Sequence, residues 1–376
     1  MSSQSSRLEA IDALRGFALM GLFIVHMVEY FELYWLHPEP GPIHTWVFLL
    51  FAGKSHSIFA LLFGFSFYVM VENPEKIRRM SSTRFLWRML LLFLIGYLHN
   101  LIYSGDILQT LAVAGMLLVV IAKLNNRWLL ICGITCLLQL PSIVQYALAL
   151  NDSSYTQPKF WALMANNFAM FAHGTFGEVT HYNAWAVQHA KITLTLETGG
   201  FFNILGFFIL GLWLARTHIM ERAISKNIRT GPIALTLLLL SVAFYWATQT
   251  ISALLPIEMP RWTFTQIAEK YTNIAMVGAM SCSIFWAYNT AAGSRLLKYL
   301  APCGRMSLTL YTGQSLMFVP VFFGYGLAMH ASMGQTTALL IGLAAWVAQM
   351  IFANLWFCHF TFGPVEYVWR KLTYGH

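Results

Sequence analysis

Residues 84–122 read RFLWRMLLLFLIGYLHNLIYSGDILQTLAVAGMLLVVIA. Two apolar runs of nearly twenty residues flank YSGD. Each is long enough to cross a ~30 Å hydrocarbon layer as a helix, and neither shows the alternation of a barrel strand. So short a loop forces the two helices to lie side by side and antiparallel. Working outward with the same window gives candidate spans near residues 10–31, 51–71, 86–103, 106–122, 128–149, 198–216, 232–254, 268–289, 304–325 and 336–358. The expectation is an all-α integral membrane protein of about ten transmembrane helices, a single polytopic domain over residues 1–376.

Composition points the same way. Of the 376 residues 58% are hydrophobic and only 10% are charged, whereas a soluble domain needs about 25% charged residues to cover its surface. A mean hydropathy of +0.60 also excludes a disordered chain. The net charge of +8 belongs to loops facing anionic lipid, so membrane lipids and not nucleic acid are the expected partner. Most of the 23 Lys and Arg fall on alternate loops, from Arg7 and Arg15 through Lys76, Arg78, Arg79, Arg84 and Arg88 to Arg370 and Lys371. This pattern puts both termini in the cytoplasm.

The N-terminal run lacks a small-residue cleavage site and continues to Glu29 and Glu32, so it reads as an uncleaved first span. The stretch 151–197 is an extracytoplasmic loop whose amphipathic run PKFWALMANNFAMF is expected on the outer surface. The cysteines Cys132, Cys136, Cys282, Cys303 and Cys358 form neither a disulfide framework nor a metal pattern, and no metal is expected.

Ionisable groups inside spans are costly unless paired or wet, and mark function by default. His26 follows Arg15 by eleven residues, about 16 Å along a helix, and His99 follows Arg88 by the same step. Two imidazoles therefore share one depth. Asp106 opens the fourth span, where it either caps the helix or orients an imidazole. Lys54 and His56, beside Gly53, bring further polar groups to that stratum, although a lysine can also snorkel. Arg15 either pairs with Asp12 or, with Arg305, holds an anion in a bidentate fork. Tyr311 and Gln314 lie further along the same helix as Arg305. Phosphate-loop, nucleophile-elbow, HExxH and dinucleotide signatures are missing from the sequence.

The segments RLEAIDALRGFALMGLFIVH, AGKSHSIFALLFG, the hairpin RMLLLFLIGYLHNLIYSGDIL, CGRMSLTLYTGQS and GPVEYVWRKLTYG resemble the YeiB family of bacterial inner-membrane proteins, domain of unknown function 418. That family is similar to the transmembrane acyltransferase superfamily, and the resemblance spans nearly the whole chain. It implies a multi-pass protein of the bacterial inner membrane that carries an acyl group from cytoplasmic acyl-CoA to a sugar on the far side. The O-acyltransferases of the superfamily show Arg, ten residues, then His in the first span, as Arg15 and His26 do here. Most YeiB-like sequences carry Asn at the position of His26, so this chain departs from its near relatives there, whereas His99 and Asp106 match the family's own HxLxxxGDIL pattern.

The function expected is transfer of an acyl group, acetyl in the first instance, to a hydroxyl or amine of a glycan or lipid-linked sugar. His26 or His99 would be the base and Asp106 its orienting partner, with Lys54 and His56 at the developing oxyanion. Arg15, Arg305, Tyr311 and Gln314 would bind acyl-CoA. The rival expectations are a transporter or flippase built on the same His, Lys and Asp, and a non-catalytic membrane protein. The acceptor, the acyl chain and the oligomeric state are not legible in the sequence.

Overall fold

The computed structural model describes residues 2–39, 41–73, 80–151, 159–225, 228–255 and 258–375. Among them the regular structure is entirely helical. In order come α1 (Ser2–Val28), α2 (Pro42–Phe51), α3 (Lys54–Phe67), α4 (Ser82–Asn100), α5 (Leu108–Ile121), α6 (Asn126–Leu137), α7 (Leu140–Asn151), α8 (Lys159–His173) and α9 (Phe176–Glu197). Then follow α10 (Gly200–Arg216), α11 (Ile219–Ile224), α12 (Thr230–Leu254), α13 (Glu258–Tyr288), α14 (Ala291–Leu297), α15 (Ala301–Arg305), α16 (Ser307–Phe322), α17 (Gln335–Trp356) and α18 (Pro364–Tyr374). A 3-10 turn, Tyr30–Leu36, follows α1, and a π turn, Tyr68–Glu72, follows α3. Helices satisfy their own backbone groups, which hydrocarbon requires of any spanning segment that is not a closed barrel.

Five segments are long and apolar enough to cross a membrane: Glu9–Val28, Pro42–Glu72, Asn126–Asn151, Thr230–Leu254 and Gln335–Trp356. The pair α9 and α10, bent by 67°, makes a sixth if counted as one broken span. The other windows expected from the sequence fall on α4, α5, α13 and α16, which do not meet that standard of length and hydropathy. The reason is clear at α5. Its 14 residues span only ~21 Å, because Tyr103 to Ile107 are drawn into the turn that precedes it.

The bundle is built around α1, which packs against α2, α3, α13, α15, α16 and α17. Of its apolar window 72% is buried, against 17% for α12. Small residues allow this. Ala10, Ala13 and Ala18 are fully buried between Leu14, Leu19 and Phe23, so neighbouring backbones approach closely. On α12, Leu235, Leu239, Trp246 and Leu254 are exposed, as befits a lipid-facing surface.

Two further contacts fix the frame. Helices α3 and α10 cross at Gly64 and Gly211, where an added methyl group would land on the carbonyl oxygens of Phe208 and Leu61 respectively. Arg216, at the end of α10, forks onto Glu72 at 2.6 and 2.5 Å. It also donates to the Leu124 carbonyl at 2.8 Å and to that of Ala122, tying three helix ends together. Arg216 is thus a structural clamp.

The stretch expected as an outer loop holds α8 and α9. Residues 152–158 lie outside the described residues, as do Lys76, Arg78, Arg79 and Lys226. The amphipathic run from Lys159 is helical and buries Phe160, Phe168 and Phe171, the last stacked on Phe323 at 4.9 Å. Helix α9 opens on a reciprocal capping box between Thr175 and Glu178.

Gly211→Val should cost about 2–3 kcal/mol through backbone overlap with α3, read as a lowered midpoint of thermal unfolding in detergent. Gly177→Ala, where a methyl group meets nothing within 4 Å, should leave the midpoint unchanged.

Candidate functional site

The turn between α4 and α5 assembles the polar centre. His99 lies in the last turn of α4, and its Nδ1 is 2.7 Å from Oδ2 of Asp106, both residues being buried. The other oxygen, Oδ1, accepts the backbone N–H of Gln109 at 3.4 Å and lies 3.9 Å from the Lys191 ammonium. Helix capping and imidazole orientation, alternatives in the sequence, are thus both realised, one by each oxygen. An ionised carboxylate only accepts, so Nδ1 of His99 carries the proton and Nε2 holds the lone pair. That Nε2 has no protein partner.

Lys191 comes from α9. Its ammonium donates to Asn100 Oδ1 at 2.9 Å and to Gln109 Oε1 at 3.3 Å. Asn100 donates to the Asn183 carbonyl, and Asn183 returns a bond to that of Leu101, each at 3.1 Å. These bonds hold α9 against the turn. Gly105 completes the geometry, since a methyl group there would overlap the Glu32 carboxylate and the Tyr103 hydroxyl.

Tyr103 stands between the two histidines. Its ring lies 5.2 Å from that of His26 and 6.0 Å from that of His99. Its hydroxyl is 3.0 Å from His26 Nδ1 and donates to Glu32 Oε1 at 3.2 Å. Glu32 sits in the 3-10 turn beyond the end of the first span. Burial pushes its carboxyl up to about 7, opposed by the Tyr103 hydroxyl and by Lys191. The consequence has a definite sign. With Glu32 ionised, Tyr103 donates to it and must accept from His26 Nδ1, which leaves His26 Nε2 as the bare nitrogen. With Glu32 protonated, Tyr103 is free to donate to Nδ1, and the proton moves to Nε2. Which nitrogen of His26 is bare therefore follows the direction in which the Tyr103 hydroxyl donates.

A cavity of about 250 Å³ approaches this centre. Its lining climbs α1 from Arg15 to Leu22, α4 from Arg88 to Leu92 and α16 from Arg305 to Tyr311. Three arginines consequently share one end, with Ile107 and Tyr311 at the other. The Tyr311 ring packs 5.1 Å from that of His99, and its hydroxyl accepts the N–H of Ile107 at 3.3 Å. Arg15 pairs with Asp12 at 2.8 Å and reaches Ser66 at 3.3 Å. Arg88 lies 3.7 Å above the Trp369 ring, and its Nε is buried without a partner. Arg305 lies 4.0 Å above Phe357. Arg305 lies within electrostatic reach of Asp12 and donates to the Thr361 carbonyl at 3.4 Å, whereas among the described residues no ion pair links Arg88 to a carboxylate, so its guanidinium remains available to an anion.

The remaining expected residues stand elsewhere. Lys54 is buried at the break between α2 and α3, where it donates to the Phe48 carbonyl at 3.0 Å. Glu269 of α13 is the carboxylate that acts on it. His56 lies within electrostatic reach of His26 and of Lys54. Gln314 bonds Gln349 at 2.8 Å and does not line the cavity. Among the described residues no group of three His, Cys, Asp or Glu side chains could hold a metal ion.

Tyr103, Glu32, Lys191, Arg88 and Trp369 belong to this site although sequence reasoning passed over them. Tyr103 had a signal, since it follows His99 by four residues in the same turn. Lys191 had none, because only the fold brings α9 to Asp106. Infrared spectra should show protonated carboxyl absorption with one component that disappears as pH rises through about 7 and is missing from Glu32→Gln, the component of neighbouring Glu29, pushed up to about 8, remaining in that variant.

Residues 7–249 match the family described as heparan-alpha-glucosaminide N-acetyltransferase, catalytic, and residues 214–376 match "Protein of unknown function (DUF418)". The chain is 27% identical over 398 residues to "Uncharacterized protein YeiB" of Escherichia coli (strain K12), covering 96% of this chain and 95% of that protein. It is 25% identical over 400 residues to "Uncharacterized protein YxaH" of Bacillus subtilis (strain 168), covering 98% and 95%. The first match takes in α1, α4, α5 and α9, which carry His26, His99, Asp106 and Lys191. The chain belongs to the heparan-alpha-glucosaminide N-acetyltransferase catalytic family, a membrane acetyltransferase-like family.

Proposed function

We propose that this protein is an acyltransferase of the bacterial inner membrane that moves an acyl group, acetyl in the first instance, from cytoplasmic acyl-CoA to a hydroxyl or amine of an extracytoplasmic glycan or lipid-linked sugar. One observation carries the reading. A histidine oriented by a buried aspartate, its Nε2 without a protein partner, packs its ring against Tyr311, which lines a cavity that also holds three arginines. The cationic loop pattern supports ten spans with both termini cytoplasmic, which turns the arginine end inward.

In this reading Arg15, Arg88 and Arg305 hold the CoA phosphates, and the pantetheine arm lies along the apolar wall toward Tyr311. The ~16 Å from Arg15 to His26 along α1 is the depth it must cover. His99 Nε2 takes the proton of the acceptor O–H or N–H. The freed electron pair bonds to the thioester carbonyl carbon, the C–S bond breaks, and the leaving thiolate takes up a proton to give CoA-SH. Asp106 stabilises the imidazolium formed in between. His26, tuned through Tyr103 and Glu32, is the alternative base. Lys54 is bound to a carbonyl, which argues against its serving as oxyanion donor.

A second reading is favoured by a specific feature. The bend between α9 and α10 sets Lys191 against a buried Asp106, the kind of broken helix that transporters use for proton-coupled movement. Proton-driven solute flux without acyl-CoA binding would establish it.

Asp106→Asn and His99→Ala should each lower acetyl-CoA turnover by about a hundredfold or more, the usual contribution of a positioned general base. Equal loss in His26→Ala alone, with His99→Ala active, would move the role to His26. Arg88→Gln should weaken acetyl-CoA binding about tenfold and abolish discrimination against dephospho-CoA, measured by calorimetry.

A further inference from the structure

Lys191 and Gln109, the two neighbours of Asp106 Oδ1, line a second cavity. This space, about 320 Å³, lies between α4, α5, α9 and α10 and is lined by Lys191, Gln109, Thr110, Gln188 and Thr195 on its polar side. Gln109, only 6% exposed, gives its amide oxygen to Lys191 and leaves Nε2 buried with no partner. Gln188 Nε2 is buried and unpartnered as well. Buried donors are almost always satisfied in folded proteins, so two orphaned amides on one cavity wall point to a ligand that supplies acceptors.

The remaining walls are apolar. Val113, Ile192 and Leu196 line the same cavity and are exposed, so its mouth opens sideways through a hydrocarbon-facing surface between α5 and α9. An aqueous solute has no path of matching polarity there. Lys191 is already neutralised by Asp106, which leaves the cavity without net charge and suits a neutral head.

We propose that this cavity holds the hydroxylated head of a membrane-borne amphiphile, a sugar or polyol on a hydrocarbon chain, which slides in laterally between α5 and α9. The head accepts from the two glutamine amides while its chain lies against Val113, Ile192 and Leu196. Lys191, paired with Asp106 on one side, lines the pocket of the head on the other.

The test uses the full chain in phosphatidylcholine nanodiscs and a dodecyl glucoside whose tail carries a photoreactive diazirine. The expected label falls on α5 and α9, is competed by dodecyl maltoside, and is untouched by maltose or dodecylphosphocholine. Replacing both amides, Gln109→Leu with Gln188→Leu, should lower labelling about tenfold, the worth of two lost hydrogen bonds. Val113→Trp, at an exposed position that folding does not need, should block the mouth and lower labelling with thermal stability intact. Competition by maltose as strong as by dodecyl maltoside, competition by dodecylphosphocholine, or undiminished labelling in both variants would overturn the proposal. Acetyl-CoA binding to the unaltered protein in the same discs is scored separately. Its absence removes the acyltransfer reading, while the labelling pattern still decides whether the cavity takes the amphiphile.

Discussion

A carboxylate inside a helical bundle must be paid for by its neighbours, and Asp106 sets the terms for much of this molecule. Breaking a buried ion pair typically costs about 3–5 kcal/mol, so the groups around Asp106 are not optional decoration. His99 saturates one oxygen, and Lys191 with the N–H of Gln109 serves the other. Each of these comes from a different place: the end of α4, the body of α9 and the start of α5. The requirement to satisfy one side chain thereby favours a tight α4–α5 turn and an α9 folded back against it, while Tyr103 and Glu32 require the glycine at 105.

The same arrangement divides the interior. On the His99 side a cavity leads toward arginines that pair with aromatic faces as much as with carboxylates. On the Lys191 side a cavity meets lipid-facing surface. Flat guanidinium groups tolerate such aromatic beds because they are weakly hydrated and planar, and their edges remain free to bond an anion. Helix α18 takes part in this architecture: Trp369 supplies the ring under Arg88, and Glu366 accepts from the first N–H groups of α16 at 2.7 and 3.0 Å. The C-terminal segment is a wall of the arginine cavity.

Much of this was legible in one dimension. Helical class followed from run length, the α4–α5 hairpin from the brevity of YSGD, and the equal depth of His26 and His99 from two steps of eleven residues. Asp106 stood out because a carboxylate beside an apolar run needs a reason. Less legible was the number of crossings, since apolar windows count turn residues such as Tyr103 and Ile107 that the folded chain withdraws from α5. Cations were read as topological markers, and several are more: Arg216 clamps three helix ends, and Arg88 lies on Trp369. A cation's sign is visible in the sequence, but its partner is not.

Apolar length and charge bias act locally and through the solvent, so the sequence by itself determined that this chain is helical, membrane-embedded and provided with His, Asp and Arg where lipid disfavours them. Family membership, too, rests on residue order. Lateral proximity is a property of packing, and only the tertiary structure decided it. Tyr103 meets His26 across 77 positions and Glu32 across 71, Lys191 meets Asp106, and Lys54 turns to the Phe48 carbonyl. These outcomes depend on how α9 bends and on which small residues let helices touch, because a buried polar group bonds with whatever the fold places within reach.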